Sequence, residues 1–249
     1  MATITVSKPA SQSQPGTYDR AFYGTFAIVM AAVVLAGFAP TYFFKLLRGG
    51  PMLTLSRFPF NTLIWTHAIL FTSWVILFIV QTALIARRRV AVHRKLGIVG
   101  GILASAMVMA GSAAAITGAR RGAAPPGGDP LAFLAIPIFD MVMFTAFVSA
   151  ALLQRRNKEA HKRLMVLAYL SIITAAMARL PGVLPLGPLV FYGLTFVILA
   201  AVVIYDWVSR GRVHKAYLWG ATALVLSVPF RLILSATPAW KTVAQFLTK

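Results

Sequence analysis

Apolar runs of about 20 residues, the length that crosses a hydrocarbon core of about 30 Å, recur along this chain between short basic stretches. They lie near 21 to 44, 60 to 86, 97 to 118, 131 to 153, 164 to 179, 187 to 208 and 216 to 237. The pattern predicts an all-α fold, a polytopic membrane helical bundle of about seven transmembrane helices. The fifth run is the shortest, because Pro181 and Pro185 break the helical pattern directly after it. PGVLPLGP, from Pro181 to Pro188, then reads as a short re-entrant or capping loop. Residues 1 to 20 are polar and rich in Ser, Gln and Pro, so they read as a disordered cytoplasmic tail. Residues 21 to 249 form the seven-helix domain, whose first run is long enough to act as an uncleaved anchor.

The basic residues orient these spans. The loops after the second, fourth and sixth runs read RRRVAVHRK, QRRNKEAHKR and SRGRVHK, whereas the alternate loops are less basic. Cytoplasmic loops carry the excess of Lys and Arg, which puts the N-terminus inside and the C-terminus outside. Composition agrees with a membrane chain: 59% of the 249 residues are hydrophobic and 12% charged, against roughly 25% charged in a soluble domain. A net charge of +19 would suggest nucleic acid in a soluble protein. Here the cations sit between apolar runs, which points to the lipid bilayer and anionic lipid head groups at the cytoplasmic face and to no nucleic acid.

Small and aromatic residues add packing detail. Gly97, Gly101 and Ser105 recur every four residues, with Gly111, Ala115 and Gly118 continuing the small residues toward the outer end, and predict close helix packing in the third span. Phe22, Tyr23, Tyr42, Phe58, Phe60, Trp207, Tyr217, Trp219 and Trp240 fall at expected span ends, where amphipathic rings favour the interface.

Ionisable groups inside a span are costly and mark function by default. His67, Asp140, Arg179 and Arg231 are of this kind. At about 1.5 Å rise per residue, the expected topology places His67, Asp140 and Arg231 roughly 10–14 Å below the outer boundary, with Arg179 nearer the surface. His67, Trp74 and Gln81 recur every seven residues on one stripe, Ser227, Arg231 and Ser235 every four, and Tyr192, Thr195 and Tyr42 are placed to line the same space. Two readings follow. In one, an outward-facing polar cavity of His67, Asp140, Arg179, Arg231, Trp74, Gln81 and Tyr192 binds a small anionic or amphiphilic ligand for sensing or transport. In the other, the same groups are interhelical ion pairs in a structural or assembly subunit. Asp206 and Arg210 form an i, i+4 interfacial pair.

Three hairpins enter their second helix with similar text: His93-Arg94-Lys95-Leu96, His161-Lys162-Arg163-Leu164 and His214-Lys215-Ala216-Tyr217. His93, Arg94, His161, Lys162, His214 and Lys215 are therefore candidate cytoplasmic contacts for an anionic head group. The H-R-x-L-G text at 93 to 97, with H-K-R-L-M at 161 to 165, resembles motifs in bacterial multi-span inner-membrane proteins of uncharacterised activity. That resemblance covers the hairpin junctions and implies a multi-pass protein of a bacterial inner membrane, without supplying site residues.

Catalytic chemistry has little to stand on. The absence of Cys excludes thiolate metal sites and Cys nucleophiles. No span carries a mid-membrane Lys for a retinal Schiff base, and no nucleophile with a base or H-E-x-x-H motif is present. No catalytic residue and no metal site is expected. A b-type haem would need a second imidazole at the depth of His67, or two of the loop histidines, so haem stands as a minor alternative and no cofactor is expected.

Overall fold

The computed structural model describes residues 16–49, 61–125 and 127–249. Most of the expected tail, and Phe58 and Phe60, lie outside these residues. The described chain is helical, with no strand. Its helices are α1 (Gly16–Phe38), α2 (Phe44–Arg48), α3 (Thr62–Ala86), α4 (Val90–Arg120), α5 (Pro130–Phe133), α6 (Ala135–Leu153), α7 (Lys158–Met177), α8 (Pro188–Arg210), α9 (Lys215–Ser235) and α10 (Pro238–Leu247). A π-helical stretch, Ala39–Phe43, joins α1 to α2 at Pro40, where the missing N–H disturbs the regular ladder. The segment between α7 and α8 contains one short 3-10 turn, Leu184–Leu186.

Among the described residues, six helical segments are long and apolar enough to cross a membrane: Tyr18–Arg48, Thr62–Ala86, Val90–Arg120, Pro130–Leu153, Pro188–Arg210 and Lys215–Ser235. The chain is thus a helical integral membrane protein. The expected span at 164 to 179 corresponds to α7, which is not among the six. Its first turns carry Lys158, Glu159, His161, Lys162 and Arg163, and these lower its hydropathy. Yet α7 is the most enclosed of the long helices, packing against α1, α6, α8 and α9, while Phe78 of α3 meets its Tyr169 ring at 4.9 Å. Leu167, Ala168 and Leu170 have no exposed surface. A helix walled in by other helices needs no lipid-facing apolar surface, so it can hold charges that a peripheral helix could not.

The core joins Phe26 and Met30 of α1, Trp74 and Phe78 of α3, Met107 of α4, Phe144 of α6, Leu167 and Ile173 of α7, and Leu199 of α8. Large apolar side chains such as Ile76, Ile98, Ile102 and Ile233 stay exposed, as expected of surfaces that meet lipid. The structure departs from two sequence expectations. The packed face of α4 runs along Gly100, Ala104, Met107 and Gly111, whereas Ser105 is exposed and bonds the Gly101 carbonyl of its own helix. Gly111 of the expected series lies on that face, whereas Gly97 and Gly101 are only partly buried beside it. Trp207 and Trp219 point outward, at 59% and 72% exposed, while Tyr42, Tyr217 and Trp240 are buried. The latter rings serve the interior and form no interfacial belt.

At the end opposite the basic loops, α10 is an unforeseen short helix. Thr237 caps it, accepting from the Trp240 N–H at 3.2 Å. The Trp240 indole N–H donates to the Leu131 carbonyl at 2.8 Å. Leu134, Ala135, Trp240 and Ala244 form a second small core there. The sequence pattern missed it because ten residues fall short of any span.

Candidate functional site

Asp140, on α6, follows Pro137 and faces α9. Its carboxylate accepts from Arg231 Nη1 across the helix pair. The same guanidinium donates from Nη2 to Ser227 Oγ at 2.8 Å and from Nε to the Ser227 carbonyl at 3.1 Å. Nη1 also reaches the Ile136 carbonyl at 3.5 Å. Rings of Phe139 and Tyr192 lie 5.9 and 5.8 Å from its Cζ. Arg231 is 1% exposed and Asp140 7%. Such depth is tolerable because the charges neutralise one another and three further guanidinium N–H bonds go to Ser227 and Ile136. Thr195 is buried near this end of α8 but bonds the Phe191 carbonyl of its own helix at 3.0 Å, and Ser235 likewise bonds the Leu232 carbonyl at 2.7 Å.

The remaining candidates from the same half stand apart from that pair. Arg179 donates to the Ala175 carbonyl at 2.7 Å and lies over the Phe38 ring at 4.8 Å. His67 stacks on Phe71 at 4.1 Å, and its buried Nδ1 has no hydrogen-bond partner among the described residues. Tyr42 packs edge-on against Trp65 at 6.0 Å. Trp74 meets Phe144 at 5.1 Å. Gln81 points to the basic end, where its Nε2 donates to the His93 carbonyl at 3.3 Å. A groove of about 340 Å³ between α4 and α6 is lined by Val108, Ser112, Ile138, Met141, Val142, Thr145 and Ala146. None of the seven candidate ligand-binding residues lines that groove.

The densest polar assembly lies at the basic end. Arg163 of α7 is fully buried and donates to the Asp206 carboxylate of α8, also fully buried, from Nε at 2.9 Å and from Nη2. Its Nη1 donates to the Glu159 carbonyl and carboxylate at 2.6 and 2.7 Å. Asp206 Oδ2 accepts from the His214 backbone N–H at 2.7 Å. Arg210 binds Asp19 at 2.6 Å and Asp206 at 3.2 Å. Lys162 joins Asp19 and Glu159 at 2.6 and 2.7 Å, and Tyr205 donates to Asp19 at 2.9 Å. Three of the chain's five acidic residues and three cations thereby lock α1, α7 and α8 together.

Sequence reasoning found one edge of this network, Asp206 with Arg210, and read it as an ordinary interfacial pair. The principal partner of Asp206 is Arg163, 43 residues away. Asp19, Glu159, Arg163 and Tyr205 were missed as site residues, and Asp19 was assigned to the tail although it lies in α1. The available signal was the scarcity of acids: of five, Glu159 and Asp206 flank basic loops and Asp19 opens the first helix on the same side.

The loop histidines separate into two places. His93 and His161 meet edge to face, 6.3 Å apart between ring centroids, and His161 Nδ1 bonds the Ala151 carbonyl at 2.8 Å. His214 instead caps α9, its Nδ1 accepting from the Ala216 N–H at 3.1 Å. Desolvation and the nearby Arg163 hold its imidazole below the usual histidine value, which favours the neutral ring that the cap requires. Of the six expected head-group contacts, Arg94 and Lys215 are exposed, whereas Lys162 is engaged by Asp19 and Glu159. Exposed Arg87, Arg88, Arg89, Lys95, Arg155, Arg156 and Arg212 share that end. Among the described residues, no group of three or more His, Asp or Glu is placed to hold a metal ion.

No protein-family model, curated protein or solved structure matches this chain.

Proposed function

We propose that the protein is a seven-span membrane protein of a bacterial inner membrane, a structural or assembly subunit whose ionised interior groups are interhelical ties. In this reading α7 is the seventh span, the basic loops face the cytoplasm and the N-terminus lies inside. The observation that carries it is that the buried arginines Arg163 and Arg231 each already hold a carboxylate and further acceptors. Arg231 is taken by Asp140, Ser227 and Ile136, and Arg163 by Asp206 and Glu159. An anion entering from outside would have to displace carboxylates already bonded in a low-dielectric interior, which is unfavourable.

Asp140→Ala tests the tie. Removing one partner of a buried pair leaves the other charge desolvated and costs about 3–5 kcal/mol. The expected result is a several-fold drop in monodisperse yield by fluorescence-detected gel filtration, restored when Arg231→Met removes the stranded charge as well. A normal yield for the single variant would remove the tie. The competing reading, an outward-facing cavity for a small anionic or amphiphilic ligand in sensing or transport, has one observation in its favour. Among the described residues, Arg179 has no carboxylate among its hydrogen bonds and ion pairs, and His67 Nδ1 has no hydrogen-bond partner. Arg179→Gln abolishing binding of such a ligand at unchanged yield would shift the function to that cavity.

The exposed cations at the basic end make anionic lipid the expected partner, each Lys or Arg near the surface contributing about 1 kcal/mol. Arg94→Gln and Lys215→Gln are each expected to weaken retention of phosphatidylglycerol roughly five-fold, read by native mass spectrometry of the detergent-released protein. Equal retention by wild type and the double variant would exclude these two contacts.

A further inference from the structure

α10 (Pro238–Leu247) is too short to cross a membrane, since its ten residues rise only about 15 Å. Both of its ends are fastened to the ends of spans. It begins just after α9 stops at Ser235, and Arg120, the last residue of α4, donates to the carbonyl of Leu247 at its far end at 3.3 Å. Between these points the Trp240 indole holds the Leu131 carbonyl, and Lys241 pairs with Asp129 at 3.7 Å. α4 and α9 both finish at the end opposite the basic loops. α10 therefore runs from the end of one span to the end of another, across the bundle and not along it.

Its side chains fall into three strips. Trp240 and Ala244 are buried in a small core with Leu134 and Ala135. Val243 and Phe246 are exposed, at 49% and 74%, and so are Lys241 and Gln245. At about 100° per residue, Val243 and Phe246 lie on one flank of the buried strip, and Lys241 and Gln245 lie on the other. The apolar and the polar exposed strips thus point nearly opposite ways. A helix laid against the side of a bundle at the membrane boundary needs that division: protein beside it, acyl chains on one flank and water on the other.

The surroundings of α10 select what covers its apolar flank. Phe230 and Ile233 of α9 are exposed large apolar side chains on a span, where lipid is their neighbour. The Phe139 ring joins that surface to α10, meeting Phe230 at 5.6 Å and Trp240 at 6.5 Å. α10 therefore lies beside a lipid-facing surface. Two apolar side chains fall far short of the roughly 800 Å² per partner that a stable protein interface takes. Exposed cations gather on the same rim, Arg120 and Arg121 at the end of α4 and Lys241 on α10, and these suit head-group phosphates.

We propose that α10 is an interfacial helix seated in the leaflet opposite the basic loops, with Val243 and Phe246 among the acyl chains of phospholipids and Lys241, Arg120 and Arg121 at their phosphates. Its partner is the lipid surface itself. Because α10 is tied to the last residues of α4 and α9, it fixes the depth at which those two spans end. The inference holds whichever leaflet faces the cytoplasm.

The chain has no cysteine, so a single introduced one carries a single nitroxide label. Full-length Lys241→Cys, Val243→Cys, Gln245→Cys and Phe246→Cys proteins are labelled and reconstituted into phosphatidylethanolamine and phosphatidylglycerol vesicles. Power-saturation EPR compares collision with oxygen, which concentrates in lipid, and with a nickel chelate, which stays in water. The oxygen-to-nickel ratio is expected to be several-fold higher at positions 243 and 246 than at 241 and 245. Equal ratios at all four positions overturn the proposal. Shielding of 243 and 246 from both reagents overturns it as well, since a second copy or another protein would then cover them. A further measurement leaves the sequence untouched: a phospholipid with a diazirine near its glycerol is photolysed beside the wild type, and adducts are mapped by mass spectrometry. Adducts at Val243 or Phe246 are expected, and labelling of the spans with none between 238 and 249 overturns the assignment.

Discussion

Asp206→Ala is expected to destabilise the protein by about 3–5 kcal/mol, the largest effect of any single substitution at the basic end. The change strands Arg163, a guanidinium with no exposed surface, beside a vacated carboxylate position. It also deprives the His214 N–H of its acceptor at the start of α9 and Arg210 of one of its partners. Removing one partner of a buried pair leaves the other charge desolvated, whereas removing both leaves only a packing change. The double variant Arg163→Met with Asp206→Ala should therefore recover much of the loss. Thermal unfolding in detergent, followed by gel filtration, reads both arms. Equal behaviour of wild type and Asp206→Ala would mean that the pair contributes no stability.

Gly37→Ala tests the other close contact of α7. A Cβ at Gly37 would fall well inside contact distance of the Ala176 carbonyl oxygen, with Ala176 C and Cα at 3.0 and 3.1 Å. The obstacle is backbone in the middle of a bundle, so neither a rotamer nor a flexible tip can yield. Overpacking costs about 1–3 kcal/mol and more where nothing yields, so the expected outcome is the upper end of that range, seen as a lower unfolding temperature and faster proteolysis of α1. Gly24, on the same helix, has nothing within 4 Å of a built Cβ. Gly24→Ala should stay within about 0.5 kcal/mol of wild type. If both variants behaved alike, α1 would not be held against α7 by backbone contact.

These two sites show what kind of information each level carries. A fixed four-residue spacing announced small residues in α4 but not which face they would present, because the face is chosen by α3 and α6 packing on it. Ser105 belongs to the spacing and still ends up outside. Gly37 stood out in no periodicity, since its role is defined by a carbonyl 139 positions later in the chain. Arg163 was read as one cation of a loop motif. In the fold it is the centre of a buried network, because α7 is enclosed and α8 brings a carboxylate to it.

The candidate pair Asp140 and Arg231 was legible for the opposite reason. Both are rare charged residues at similar depth in apolar runs, and in a low-dielectric bundle two such charges have few ways to be satisfied except by meeting. The α3 stripe of His67, Trp74 and Gln81 was legible through its seven-residue spacing. That His67 Nδ1, Trp74 Nε1 and Gln81 Oε1 have no hydrogen-bond partner among the described residues depends on the neighbouring helices and could not be read from α3 alone.

The sequence by itself determined that this is a helical membrane protein, where its long apolar helices lie along the chain, and that Asp140 and Arg231 would be forced inside. Those properties follow from transfer free energies and backbone hydrogen bonding, which act locally along the chain. Only the tertiary structure decided that the least apolar long helix is the central one, which partner each buried charge takes, and which glycine touches backbone. Those depend on neighbours distant in sequence, and no local energy encodes them.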